Sequence, residues 1–313
     1  MEKVSIPSAR DGLGLELLIG QPAGQARGVV QILHGMCEHK ERYIPFMEYL
    51  NSRGLVTVIH DHRGHGQSIR NREDLGYMYG QGWEGLVEDA RCVSLYAEER
   101  FENLPLILLG HSMGALAARV FCKKYNEDLT ALILCGHPSW NPALPLGIKI
   151  AEFLKVVRGD RFRSRLLELL TFGPYAAKFL SEKQKFSWIC SRPEVAEEYV
   201  RSPLCGFVFT VDGYLALFGL LKEAFGQKGW SRRNPHMPVL FAGGGEDPCM
   251  GGKRAFAHTV LSMKKNGYDT VYCRRYPGMR HEILNESGRR KVYGDLCRFI
   301  QKTIEGGNRI HEK

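Results

Sequence analysis

A serine lies between two glycines at the point where an apolar segment changes its pattern. Residues 105–109 form an apolar run typical of a strand, and residues 115–121 carry apolar side chains at helical spacing. Between them, Gly110-His111-Ser112-Met113-Gly114 has the spacing G-x-S-x-G. This spacing is typical of a sharp strand-to-helix turn that strains the serine and exposes its Oγ. Ser112 is therefore predicted to be a nucleophile, and an ordinary strand-loop-helix junction is the alternative.

Such a nucleophile needs a base and an acid, and both residue types follow later predicted strands. A serine hydroxyl needs a base such as histidine to take its proton, and the histidine needs a carboxylate to orient its ring. His281 lies in PGMRHE after the last predicted strand, DTVYCRRYPG, and Asp247 lies in GGGEDP at the end of the strand before it, PVLFAGGGEDP. These residues are predicted to complete the catalytic set. Glu246, next to Asp247, is the alternative acid.

Two backbone N–H groups are predicted to form an oxyanion hole. One belongs to Met113, directly after the nucleophile, and the other to Met36, in the loop after His34-Gly35. Gly35 is expected to let the backbone approach the substrate closely, and a plain turn at the end of a strand is the alternative.

The elements that must position these residues alternate between strands and helices. Four short apolar runs predict buried parallel strands with helical patterns between them: GVVQILHG, LVTVIHDHRG, LPLILLGHS and ALILCGHPS. A hairpin around Arg10-Asp11-Gly12 precedes them. The alternation predicts an α/β fold with a doubly wound, mostly parallel sheet. Ligands bind at the carboxyl ends of the strands in such sheets, where Ser112, Asp247 and His281 are all expected.

The alternation stops after Pro138 and resumes with PVLFAGGGEDP at Pro238. The intervening segment has helical and aromatic-rich patterns but no convincing buried strand. We therefore predict a core formed by residues 1–137 and 235–313, with residues 138–234 as a helical insertion. An insertion at this point lies above the carboxyl ends of the strands, where it could cap Ser112 and supply an apolar acyl pocket.

The net charge limits the class of partner. The formal charge is +9, but Lys and Arg are dispersed and no nucleic-acid recognition motif accompanies them. No nucleic-acid partner is therefore expected, and the composition indicates no oligomeric state. Residues 149–192 are the exception, with ten Lys and Arg against four acidic residues. This basic segment could make transient contact with a membrane surface, or it could simply be solvated, which we favour.

The cysteine and histidine residues indicate no metal and no other cofactor. Nine cysteines are scattered without a CxxC pair, and the N-terminus lacks the apolar segment of a signal peptide, so a cytoplasmic protein with reduced thiols is expected. Cys37 and Cys249 flank the predicted site and are expected to pack as inert thiols, with redox-sensitive thiols as the alternative. His60, His62 and His65 have the composition of a metal cluster, but they occupy a tight glycine-rich turn.

Several motifs together resemble the monoacylglycerol lipase and bacterial lysophospholipase-like group of α/β-hydrolases, which are hydrolases of the serine aminopeptidase S33 type. HGMCEHKERY, DHRGHGQS and GHSMGA occur in this order, followed by an acid in a GxxDP loop and a histidine near the end. The resemblance covers about residues 25–136 and 238–300, and SPLCGFVFT is also similar to a segment of bacterial lysophospholipases. It implies an α/β-hydrolase fold with a helical cap, and it favours Asp247 over Glu246 as the acid.

The resemblance also implies an activity. It implies a serine hydrolase that cleaves carboxylic esters through an acyl-enzyme on Ser112, as a monoacylglycerol or lysophospholipid-type lipase or esterase. An amidase, an aminopeptidase, an acyltransferase or a non-catalytic ligand-binding relative is the alternative. Glu38 and Arg42 would then help to bind the polar head of a small ester or lipid substrate, and a local ion pair between these two residues is the alternative.

Overall fold

The computed structural model of the protein describes residues 1–311, so the last two residues of the predicted core segment 235–313 lie outside the described residues. One sheet contains eight strands: β1 (Glu2–Pro7), β2 (Gly14–Gly20), β3 (Val29–Leu33), β4 (Val56–His60), β5 (Leu106–His111), β6 (Ala131–Cys135), β7 (Val239–Gly244) and β8 (Val271–Tyr276). Their order is β1-β2-β4-β3-β5-β6-β7-β8. β2 pairs antiparallel with β1 and β4, and the other neighbours pair parallel. The predicted hairpin and the predicted fold class are confirmed.

Helices cover both faces of this sheet. The helices within the described residues are α1 (Ile44–Asn51), α2 (Gly82–Arg100), α3 (Met113–Tyr125), α4 (Leu144–Arg158), α5 (Arg165–Ala177), α6 (Pro193–Arg201), α7 (Val211–Phe225), α8 (Gly252–Lys265) and α9 (Arg289–His311). Side chains of α1 and α9 form one core with the sheet, and side chains of α2, α3 and α8 form the other. Because both faces are covered, every residue of β3 to β7 is buried.

Two helices differ in their bounds from the sequence pattern. The pattern predicts a helix over residues 41–54, whereas Lys40–Tyr43 form a 3₁₀ turn and α1 begins only at Ile44. Pro45 explains the new start, because proline lacks the backbone N–H and fits the first helical turn. The pattern also predicts an amphipathic last helix over residues 290–304, whereas α9 continues to His311.

The segment between β6 and β7 contains α4 to α7 and no strand of the sheet within the described residues. α7 packs on α2 and α3 of the core and on α4 of the same segment. Leu144, Leu167 and Leu217 of this segment line one cavity together with Ser112, so the segment lies beside the turn between β5 and α3. Across residues 1–311, none of the helices is both long enough and apolar enough to cross a bilayer.

Candidate active site

Ser112 lies in a strained conformation at the turn between β5 and α3. Its φ is +55° and its ψ is −117°. For a residue with a Cβ atom, such a conformation costs roughly 1–3 kcal/mol. The flanking glycines permit the tight turn: a Cβ built at Gly110 would lie 2.2 Å from the Gly114 carbonyl oxygen, and one at Gly114 would lie 2.1 Å from the Leu33 carbonyl oxygen. The Ser112 N–H donates to the Cys135 carbonyl at 3.0 Å, so β6 also holds the turn.

His281 and Asp247 form a buried hydrogen-bonded pair on the loops that follow β8 and β7. His281 Nδ1 lies 3.0 Å from Asp247 Oδ2, and the side chains are 4% and 0% exposed. Asp247 Oδ1 accepts the Cys249 N–H at 2.8 Å. Burial disfavours protonation of the imidazole, but the charge and hydrogen bond of Asp247 outweigh it, so the pKa of His281 is raised. Glu246 is exposed. The geometry therefore pairs His281 with Asp247.

Two other rings hold the imidazole of His281 in place. The Trp188 ring centroid lies 5.2 Å from that of His281, and the His111 centroid lies 4.8 Å from it. His111 Nε2 is 3.3 Å from the His281 carbonyl oxygen, and His111 Nδ1 is 3.3 Å from Glu38 Oε1. Packing and hydrogen bonding thus restrict the orientation of the base.

The two predicted oxyanion donors lie next to Ser112. Met113 is the first residue of α3, and Met36 follows Gly35 in the loop after β3. A Cβ built at Gly35 would lie 3.3 Å from Ser112 Cβ, so this loop passes directly beside the serine. Among the backbone hydrogen bonds of the described residues, neither the Met36 nor the Met113 amide donates to another protein group. Both amides are therefore available to an oxygen atom of a ligand.

Glu38 and Arg42 form an ion pair that fixes the Gly35 loop. Glu38 accepts hydrogen bonds from the Gly35 N–H at 2.5 Å, from the Tyr43 hydroxyl at 2.9 Å and from Arg42 Nη1 at 2.5 Å. Arg42 also donates twice to Glu282, at 2.6 and 2.7 Å. Burial favours the neutral acid, but the guanidinium of Arg42 outweighs it and holds the pKa of Glu38 well below its usual value. The two residues therefore form an ion pair that positions the Gly35 loop, and their role in binding the polar head of a substrate stays a prediction.

Two cavities meet at Ser112. The first, here called the apolar cavity, has a volume of about 210 Å³ and a wall that includes Leu116, Leu144, Ile150, Leu167, Leu217 and Leu221. The second, here called the polar cavity, has a volume of about 40 Å³ and a wall that includes Glu38, Glu168, Tyr199, Tyr214, His281 and Glu282. Met36, Ser112, Phe172 and Trp188 line both cavities. A ligand at Ser112 can therefore extend in two directions, into the apolar cavity and into the polar cavity.

The polar cavity has an excess of negative charge. Glu38, Glu168 and Glu282 line it, whereas Arg42, which pairs with two of them, does not. The Tyr214 hydroxyl is buried and has no hydrogen-bond partner among the described residues. An unpaired buried hydroxyl costs free energy unless a ligand or water satisfies it. This wall therefore suits the hydroxyl groups of a neutral ligand.

Among the site residues that sequence patterns did not identify are Glu168, Trp188, Tyr214 and Glu282. Glu168, Trp188 and Tyr214 come from the insertion, where no motif or spacing marked them. Glu282 could have been found from its position directly after His281, but its role depends on Arg42, which lies 240 residues earlier.

The two cysteines near the site are buried. Cys37 has a positive φ of 56°, and its thiol lies 2.9 Å from the Phe207 carbonyl oxygen. Burial raises the pKa of the Cys37 thiol. Burial and the nearby charge of Asp247 raise the pKa of the Cys249 thiol well above its usual value. Both thiols therefore carry their protons at neutral pH, which makes them poor nucleophiles.

His60, at the end of β4, and His62 and His65, in the glycine-rich turn that follows, are also buried. Burial lowers the pKa of His60 to about 3 and that of His65 to about 4, and it lowers the pKa of His62 as well. His60 packs against His62 with ring centroids 5.0 Å apart. These neutral rings fill the interior behind the loop that follows β3.

The fold and the site define the class of the protein as an α/β-hydrolase. A serine at the strand-to-helix turn, with an acid and a histidine on later loops in that chain order, is the arrangement of this class. A solved carboxyl esterase from Bacillus coagulans, determined in complex with glycerol, superposes with a TM-score of 0.88 over 97% of this chain and 98% of that one, at 23% identity. The likeness confirms the fold.

The family can be stated as well. The family model described as serine aminopeptidase, S33, matches residues 24–288, and the chain belongs to this family. The monoacylglycerol lipase of Mycolicibacterium smegmatis is 27% identical over 287 residues, which cover 89% of this chain and 90% of that protein. The monoglyceride lipase of Mus musculus is 31% identical over 174 residues, which cover 56% of this chain and 54% of that protein.

Proposed function

We propose that this protein is a serine hydrolase that cleaves carboxylic esters through an acyl-enzyme on Ser112. One observation carries the proposal: Ser112 lies strained on the wall shared by two cavities, and His281, which lines the polar cavity, is held by Asp247 at 3.0 Å. Membership of the S33 family and the names of the relatives support hydrolysis over ligand binding alone.

In the first half of the reaction, His281 acts as the base. Its Nδ1–H donates to Asp247, so the Nε2 lone pair is free to take the proton from Ser112 Oγ. Ser112 Oγ attacks the ester carbonyl carbon, and the π electrons of the carbonyl bond move to the carbonyl oxygen. The Met36 and Met113 amides then stabilise this oxyanion, each by roughly 3 kcal/mol at the transition state. The intermediate collapses, and His281 returns the proton to the leaving alcohol.

In the second half, a water molecule replaces the alcohol. His281 takes a proton from this water, whose oxygen attacks the acyl-enzyme carbonyl. The second tetrahedral intermediate uses the same two amides. Its collapse breaks the bond to Ser112 Oγ, which recovers its proton from His281, and the carboxylic acid is released.

The proposed substrate is a monoacylglycerol. The apolar cavity would hold the acyl chain, and the polar cavity would hold the glycerol, with Glu168 and Tyr214 bonded to its hydroxyls. An anionic phosphate would face the carboxylates of the polar cavity, and two like charges 4 Å apart repel by about 4 kcal/mol at an effective dielectric constant near 20. The charges therefore favour a monoacylglycerol over a lysophospholipid.

Residues 138–234 would act as a cap and as the route of lipid entry. They supply walls to both cavities, including Leu217 and Glu168. Phe153 and Val156 on α4 are 65% and 84% exposed, and Leu169 on α5 is 65% exposed, within the basic segment. Apolar side chains among Lys and Arg suit transient contact with anionic lipid headgroups, where each basic residue contributes about 1 kcal/mol.

The second candidate function is an aminopeptidase. The same excess of carboxylates in the polar cavity would attract the ammonium group of a peptide N-terminus, and the family is named for this activity. The apolar cavity of about 210 Å³, which Ser112 also lines, favours an acyl chain instead.

A labelling experiment and a substrate panel test the proposal. A fluorophosphonate probe should label the wild-type protein and the Ser139→Ala variant, which loses another serine hydroxyl of the apolar cavity, but not Ser112→Ala. 1-Monooleoylglycerol should be hydrolysed faster than oleoyl lysophosphatidic acid, which carries the same acyl chain, and faster than an amino-acid amide. Labelling of Ser112→Ala would refute the assignment of Ser112 as the nucleophile. Faster hydrolysis of the amide than of the monoacylglycerol would favour the aminopeptidase.

A further inference from the structure

A thiol lies beside the acid-histidine pair. In the part of the chain that the structure describes, one set of three His, Cys, Asp or Glu side chains brings its donor atoms within 4.8 Å of one another: Asp247, Cys249 and His281. All three residues are buried. The proposed hydrolysis uses the carboxylate and the imidazole but has no role for the sulfur.

The three donor atoms match the preferences of a thiophilic cation. A thiolate sulfur, an imidazole nitrogen and a carboxylate oxygen are the ligands that Zn²⁺ takes in proteins. With bonds of about 2.0–2.1 Å, a nitrogen and an oxygen ligand of a tetrahedral ion lie about 3.3 Å apart. His281 Nδ1 and Asp247 Oδ2 are already 3.0 Å apart, so these two ligands need only small movements, whereas the Cys249 sulfur, within 4.8 Å of both, must move closer to reach the ~3.6 Å of a tetrahedral sulfur–nitrogen pair.

We propose that Asp247, Cys249 and His281 form an inhibitory site for a thiophilic divalent cation such as Zn²⁺. The ion would reach the site through the cavities, because Cys249 lines the apolar cavity and His281 lines the polar one. A water molecule takes the fourth position. On binding, the Cys249 thiol loses its proton to solvent, and the ring proton of His281 moves from Nδ1 to Nε2. No electron is transferred.

This proton shift explains why the cation inhibits. An imidazole that binds a metal through Nδ1 carries its proton on Nε2, and a protonated Nε2 cannot accept the hydrogen of a serine hydroxyl. The cation also replaces the hydrogen bond between His281 and Asp247. The binding site depends on the geometry alone, whereas the loss of activity rests on the proposed role of His281.

Binding can be tested without any substrate. Co²⁺ is added to the full-length wild-type protein and to the Cys249→Ser and Cys273→Ser variants, the last of which removes an exposed thiol on β8. The wild type and Cys273→Ser should show a thiolate-to-cobalt charge-transfer band in the near ultraviolet that saturates at one Co²⁺ per chain. Cys249→Ser should lack the band. A band that persists in Cys249→Ser, or no band in the wild type, would overturn the proposal.

Inhibition is then measured with Zn²⁺ and a soluble ester, with each variant normalised to its own metal-free rate. Loss of a residue that only hydrogen-bonds to a metal ligand costs roughly 10–100-fold in metal affinity. Loss of a direct ligand in Cys249→Ser should therefore raise the Zn²⁺ concentration for half-inhibition by at least ~100-fold. Cys249→Ala, which offers no oxygen ligand, should behave in the same way, and the melting temperature shows that both variants fold. Equal inhibition of wild type and Cys249→Ser would refute the site. A protein that shows the cobalt band but no ester hydrolysis would instead refute the proposed function.

Discussion

Replacing Asp247 by asparagine removes the charge of the acid while keeping its shape. The carboxylate accepts the Cys249 N–H at 2.8 Å on one oxygen and faces His281 Nδ1 at 3.0 Å with the other. Asparagine has one oxygen and one NH₂ group for these two positions. If the oxygen stays with the Cys249 amide, the NH₂ group faces Nδ1 and favours the tautomer with the proton on Nε2. That tautomer cannot take the proton of Ser112.

The expected loss is large because the wrong tautomer removes the base. An aspartate-to-asparagine change at this position of a triad lowers kcat by about 10⁴, which is about 5.4 kcal/mol of transition-state stabilisation. The pH profile should change as well. Asp247 raises the pKa of His281 against the opposing effect of burial. Without the charge this pKa falls, so the acidic limb of the remaining activity should move to lower pH.

The assay is a pH series of kcat and kcat/KM with p-nitrophenyl butyrate, for wild type, Asp247→Asn and Glu246→Gln. Glu246→Gln removes the same formal charge from an exposed neighbour and should leave kcat near the wild-type value. Melting temperatures verify that both variants fold. The reasoning is refuted if Asp247→Asn keeps kcat within about tenfold of wild type, or if Glu246→Gln loses more than Asp247→Asn.

Three further outcomes are expected. Gly35→Ala would place a Cβ 2.6 Å from Glu38 Oε1 and displace the oxyanion loop, so kcat should fall about 10²-fold; an unchanged kcat would contradict the role of this loop. Glu168→Gln removes one carboxylate from the polar cavity and should raise kcat/KM for oleoyl lysophosphatidic acid, relative to 1-monooleoylglycerol, by at least about tenfold; a constant ratio would contradict the charge argument. Val156→Asp should reduce co-sedimentation with anionic vesicles without slowing hydrolysis of p-nitrophenyl butyrate, whereas Leu95→Asp, at an exposed apolar residue on α2, should not.

The sequence predicts well those features that depend on neighbours in the chain. Gly110 and Gly114 lie two residues from Ser112, so the strained turn has a local signature. β7, the strand before Asp247, is a continuous apolar run, because helices bury both faces of the sheet there. β8, the strand before His281, lies at the edge of the sheet and carries exposed residues such as Arg274. Topology then brings the ends of these parallel strands to one edge.

Contacts between distant segments could not be predicted in this way. The spacing of Glu38 and Arg42 suggests an ion pair, but it cannot show that Arg42 also binds Glu282, 240 residues further along the chain. Trp188 packs on the His281 ring from an irregular part of the insertion, where neither helical nor strand periodicity indicates a buried face. The contacts of such residues are determined only by the folded structure.

The wall that the two cavities share at Ser112 has a consequence for the lifetime of the acyl-enzyme. In the proposed mechanism the acyl chain stays in the apolar cavity while the first product leaves the polar one, so any molecule that resolves the intermediate must enter that vacated space of about 40 Å³. Water and small alcohols would then compete for the vacated polar cavity. The partition of the acyl-enzyme between hydrolysis and transacylation would follow the concentration of free glycerol. The ratio of hydrolysis to transacylation would therefore depend on the surroundings of the protein, with no change in the residues that carry out the chemistry.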